Sequence, residues 1–143
     1  MSKPLRPLNR VAQRDWERGD CGLACVAAIA DKKYETLLAD FRALPGKARV
    51  EYFFTRHKDL QALLLKHGYE TERRRFRSWR KITGHAIVKV NLKNDKNWHW
   101  VVHDGGRQQQ VAHDPKPGKR KLITDFRGLR GSGYYLAVMT RAG

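Results

Sequence analysis

The apolar positions of this chain change their period once, near residue 82. Before it, Leu37, Leu38 and Phe41 recur at helical spacing, and so do Leu60, Leu63 and Leu64. The first set predicts a helix over 34–43, stopped by Pro45-Gly46, and the second a helix over 58–67, stopped by Gly68. Ahead of both, the small apolar run from Cys21 to Ala30 follows Asp20, a good N-cap residue, and reads as a short buried helix. Beyond residue 82 the pattern becomes alternating or continuously β-branched, over 85–90, 98–103, 108–112, 122–124 and 134–139. Asp104-Gly105-Gly106-Arg107 separates two of these runs as a hairpin turn would. Helices first and an antiparallel sheet second make an α+β fold without internal repeats.

A chain of 143 residues holds one ordinary domain core. Residues 1–10, with Pro4, Pro7 and scattered cations, read as an irregular basic arm, and 11–143 as the domain. No run approaches the roughly 20 apolar residues of a membrane helix, and the first 20 residues contain no signal-like apolar stretch. The expectation is a cytoplasmic protein without a membrane partner, with both cysteines as free thiols.

Charge sharpens this picture. The formal net charge is +16, and residues 72–143 carry 17 Lys and Arg against 5 Asp and Glu, whereas residues 1–71 carry 13 against 9. Such a half-chain implies an anionic partner: nucleic acid, an acidic protein or an acidic stretch of substrate. Arg73, Arg74, Arg75, Arg77, Arg80 and Lys81 interleave with Phe76 and Trp79, the composition used to hold single-stranded nucleic acid. It equally fits a strand that buries its two aromatics and leaves its cations in water. Lys119-Arg120-Lys121, Arg127 and Arg130 add further cations.

The candidate chemistry lies at Cys21 and Cys25, the only cysteines. Zinc fits poorly, because the spacing is longer than the usual structural pair and His99 and His103 are spread along a predicted strand by about 13 Å. No metal and no cofactor is expected. A nucleophile fits better. Cys21 would sit in the first turn of a helix, where free N–H groups and the dipole favour a thiolate, while Cys25 lies one turn deeper among Ala24, Val26 and Ala28. Gly22 would leave the backbone beside Cys21 open to a substrate carbonyl. A thiol needs a base, and His99, between Trp98 and Trp100 at the start of an apolar strand, is the best placed. With residue 103 opposite 108, residue 99 opposes 112 and Asp114 shares the face of His99 one diagonal step away. A slip of one residue would put His113 there instead.

The motifs DCGLACVAAIA, HWVVHDGG and AHDPKPG, in that order, resemble those of the bacteriocin-processing cysteine peptidases that cut double-glycine leaders. The closing ITDFRGLRGSGYYLAVM is also similar, so the resemblance spans roughly residues 11–139. It implies a papain-like fold, with Cys21 as nucleophile, His99 as general base and acid, and Asp114 orienting the imidazole. The family places an oxyanion-hole glutamine six residues before its nucleophile. Here that position is Asp15, and Gln13, eight residues before, would need a bulge at Gly19 to fill the role. The leading expectation is a peptide or isopeptide bond as substrate, with Gly22, Trp98, Trp79 and the cations of 73–81 lining the substrate groove or binding an anionic partner. The resemblance is to the small stand-alone proteins of this type found in bacterial and phage genomes, and a chain without transporter parts is the expectation. The alternatives are a nucleic-acid-binding protein or nuclease on the same fold, and a catalytically weak binding module.

Overall fold

The computed structural model describes residues 5–94, 97–119 and 122–141. Its helices are α1 (Cys21–Ala30), α2 (Tyr34–Arg42) and α3 (His57–Lys66), and its strands β1 (Tyr69–Arg75), β2 (Ala86–Asn94), β3 (Asn97–Asp104), β4 (Val111–His113) and β5 (Gly131–Arg141). The strands form one antiparallel sheet in the order β1-β5-β2-β3-β4. This is the α+β architecture expected from the change of period.

Every residue of α1 is buried, which is why its sequence is apolar all round rather than in a stripe. α2 and α3 present narrower stripes, Leu37 with Phe41 and Leu60 with Leu63 and Leu64, and together with α1 they cover one sheet face through Ile87, Trp100, Val102 and Leu136. The other face carries Val88, Val90, Val101, Tyr135 and Ala137, and residues outside the helices cover it: Ile82, Leu129, Phe76, Trp79 and Phe126. The sheet is therefore buried on both faces, which accounts for the continuous runs HAIVKV and WVVH.

The hairpin between β3 and β4 closes with Val102 opposite His113 and His103 opposite Ala112. The expected register had 103 opposite 108, so the loop is longer than DGGR. The shift is an even number of residues, so the faces are kept, and Asp114 remains on the face of His99. Of the expected strand 108–112 only Val111–His113 pairs with β3, and of 122–124 only Ile123 bridges to Ala112. Asp104 explains the long turn. Its side chain is fully buried and accepts hydrogen bonds from Leu8 N, Gly106 N, Arg107 Nε and His113 Nε2 at 2.8–3.0 Å. These bonds also hold the N-terminal segment, which has no regular structure, across the sheet end, with Leu8 buried and Arg107 donating to Leu8 O.

Candidate active site

The site forms where the N-terminus of α1 meets the start of β3. Asp20, the expected N-cap, does not cap α1. Its buried carboxylate turns to the preceding segment and accepts from Gln13 Nε2, Arg14 N, Asp15 N and Tyr34 Oη at 2.7–2.9 Å. The price is a helix start whose first amides have no side-chain acceptor, and Cys21 is the first residue of that helix. Its neighbour Gly22 does not open the site. A Cβ there would lie 1.9 Å from Thr55 Oγ1, so this glycine lets α1 pack on the segment leading into α3.

Gln13 reaches the same place from the segment before α1. Residues 16–18 form a single 3-10 turn that ends at Gly19 with φ +78°, and this excursion takes up the extra residues between Gln13 and Cys21. Gln13 N donates to Pro115 O (2.8 Å), and Arg10 Nε to Asp114 O (2.6 Å), so the same segment is fastened to the loop after β4.

On the sheet side, β2 is irregular after Val90, where Asn91 adopts φ +54° and the register with β3 shifts. Such bulges re-aim side chains at strand ends. His99, opposite Val90, donates from Nε2 to Asp114 Oδ1 at 2.7 Å. The tautomer follows from the acceptor, because an ionised carboxylate can only accept. Burial raises the Asp114 carboxyl, but the His99 hydrogen bond and charge, the Lys116 N–H and the charge of Lys119 together hold it below its ordinary range. The second ring nitrogen of His99, Nδ1, is left free for Cys21, whose sulfur is near enough to act on the charge of the ring. Burial pulls the His99 pKa down, and the bonds and charges of Asp114 and Cys21 outweigh it and lift it to about 9.

Cys21, His99, Asp114 and Gln13 line a cleft of about 1010 Å³. One wall carries the exposed aromatics Trp16 and Phe54 beside Gly19. The other carries Asn91, Trp98 and residues from the stretches 116–119 and 123–129. Cys25 is absent from the cleft and almost wholly buried, and desolvation, with the nearby Cys21 and Asp114, pushes its thiol well above the ordinary value. Among the described residues, no three His, Cys, Asp or Glu side chains gather as a metal site would require, and no helix is long and apolar enough to cross a membrane.

The expected groove residues divide. Trp98 lines the cleft; Gly22 and the basic segment do not. Arg73, Arg74 and Arg75 lie on β1, at the far edge of the sheet and three strand spacings, roughly 14 Å, from β3. Arg77, Arg80 and Lys81 are exposed, but Trp79 turns inward, stacking on Phe126 at 4.6 Å and donating from Nε1 to Leu129 O, with Phe76 edge-on to it. These aromatics support the cleft wall from behind. Arg120 and Lys121 lie outside the described residues. Sequence reasoning missed Asn91, Lys116, Trp16 and Phe54. Only the exposed aromatic pair carries a signal in the sequence, and it is not specific.

No protein-family model matches the sequence, and no curated protein matches it either. Solved structures do match. The peptidase domain of Streptococcus ComA, a bi-functional ABC transporter of a quorum-sensing pathway, aligns with a TM-score of 0.64 and 24% identity over 92% of this chain and 96% of that one. A double-glycine motif protease from an AMS/PCAT transporter, solved with its leader peptide, gives 0.64 and 17% over 96% and 95%. The peptidase domain of Streptococcus mutans ComA gives 0.58 and 22% over 92% and 99%. The chain has the papain-like fold of these domains. At these identities the likeness extends to the fold, and the chemistry rests on the side chains described above.

Proposed function

We propose that this protein is a papain-like cysteine peptidase that cleaves a peptide or isopeptide bond with Cys21, His99 and Asp114. The observation that carries the reading is His99, bonded to Asp114 through Nε2 and lining, with Cys21, the same open cleft. A histidine that keeps its proton to about pH 9 beside a thiol is what an imidazolium–thiolate pair requires.

In the reaction, Cys21 Sγ attacks the substrate carbonyl carbon and the carbonyl oxygen takes up negative charge. The uncapped start of α1 supplies the Cys21 N–H to that oxygen, helped by the helix dipole. The Gln13 amide has two N–H groups. Asp20 takes one and thereby orients the amide, and the other serves the oxyanion. His99 then gives its Nδ1 proton to the leaving amine as the C–N bond breaks. Water adds to the thioester with His99 as base, and the acid leaves as Cys21 is regenerated. A leader peptide, such as the one bound in the structure of the matched double-glycine motif protease, is one candidate substrate.

The test is the rate of alkylation of the two thiols by iodoacetamide, read by mass spectrometry. Cys21 reacts at least about 100-fold faster than Cys25, and His99→Ala removes most of that advantage. Equal rates, or an advantage that survives His99→Ala, count against the proposal.

A further inference from the structure

Residues 116–119 and 123–129 contribute to one wall of the cleft, and the described charge there and at the adjoining Arg130 is mostly positive. Lys116 and Lys119 are both exposed and both line the cleft, and Arg130 is exposed beside Leu129 and Gly128. Among the described residues, the carboxylates of the second half of the chain are engaged in other contacts. Asp104 is buried under Leu8 and Arg107, Asp114 holds His99, and Glu72 is paired with Arg74. Asp125 does face the cleft, but the Arg127 guanidinium grips both its oxygens at 2.7–3.1 Å. Among the described residues, no carboxylate is ion-paired with Lys116, Lys119 or Arg130.

The wall is also held in place. Ile123 exchanges two backbone hydrogen bonds with Ala112. Asn91 accepts from Arg130 N, donates from Nδ2 to Gly128 O and gives its own N–H to Arg130 O. Trp79 fixes Leu129 from behind. Cations on an anchored wall present a fixed positive field to whatever occupies the cleft.

From this charge pattern, and resting on the peptidase reading, we propose that Lys116, Lys119 and Arg130 select peptides that carry an acidic stretch beside the scissile bond. A polypeptide is favoured over nucleic acid as the source of the negative charge because these cations share the cleft with Cys21 and His99, a pair suited to acyl transfer, while the arginine-rich segment 73–81 lies outside it with Phe76 and Trp79 packed inward.

The experiment compares fluorogenic peptides of equal length flanked by Asp/Glu, Ser/Gln or Lys. The expected kcat/KM is about tenfold higher for acidic than for basic flanks at low salt, the scale set by two exposed ion pairs. The ratio falls towards one at 1 M salt. Lys116→Glu combined with Lys119→Glu inverts it. An unchanged ratio in that variant, or a ratio insensitive to salt, overturns the proposal. So does a single-stranded oligonucleotide that occupies the cleft while acidic peptides do not. If no peptide is cleaved, the peptidase reading has failed, and anisotropy binding of the same labelled peptides to the Cys21→Ser protein still decides the preference by the same criteria.

Discussion

Replacing Asp114 by Asn tests the electrostatics of the site with a nearly isosteric change. The His99 pKa of about 9 lies roughly 2.5 pH units above the ordinary 6.5, equivalent to about 3 kcal/mol in favour of the imidazolium after burial has taken its share. Two groups supply it, Asp114 at 2.7 Å and Cys21. Asp114→Asn removes the full charge and keeps the volume, so the imidazole midpoint should drop by at least about 1.5 pH units, roughly 2 kcal/mol. The raised His99 pKa contributes stability that is fully present below about pH 6.5 and is lost as pH rises through about 9. The lowered Asp114 pKa contributes stability present above 3.8 and lost as pH falls. Wild type and variant should therefore differ most between about pH 4 and 6.5 and converge above pH 9. Histidine NMR titration, with His99→Gln to assign the resonance, gives the midpoint, and urea unfolding at pH 5.5 and 9.5 gives the stability gap. A midpoint that stays near 9 in the variant, or a gap that widens from pH 5.5 to 9.5, would refute the reasoning.

Gly22→Ala places a methyl 1.9 Å from Thr55 Oγ1 and should destabilise by about 1–3 kcal/mol, partly recovered in the double variant with Thr55→Ala; urea denaturation measures both. Asp104→Ala leaves Leu8 N, His113 and Arg107 without their buried acceptor and should cost about 3–5 kcal/mol, with earlier proteolysis near residues 5–10. The Asp104 pKa is about 2, because the hydrogen bonds from His113, Arg107, Gly106 and Leu8 overcome the effect of burial, so its stabilisation is present above about pH 4 and fades towards pH 2 in an acid titration of the wild type. Gln13→Ala should lower kcat by about 100-fold or more with little change in Cys21 alkylation, since an oxyanion donor acts on the transition state and not on the thiol. Equal losses in both assays would make Gln13 a structural residue.

Sequence alone determined the local and periodic features. The switch from helical spacing to β-branched runs near residue 82 reports which elements bury which faces, and that burial is what folding selects. The distinction between Cys21 at a helix start and Cys25 inside it was legible for the same reason. So was the shared face of His99 and Asp114, because strand parity survives any even shift of register, including the one found.

Only the tertiary structure decided what depends on partners distant in the chain. Asp20 looked like a cap and is instead the acceptor that orients Gln13, a choice made by Arg14, Asp15 and Tyr34 converging on one carboxylate. Gly22 looked open and is closed by Thr55 from another segment. The cations of 73–81 looked like part of a groove, but strand order carries β1 to the far edge, while Lys119 and Lys116, the latter not singled out in the sequence, line the cleft. Side-chain period is fixed by backbone geometry over a few residues, whereas the partner of a buried polar group and the edge to which a strand is assigned are set by packing across the whole chain.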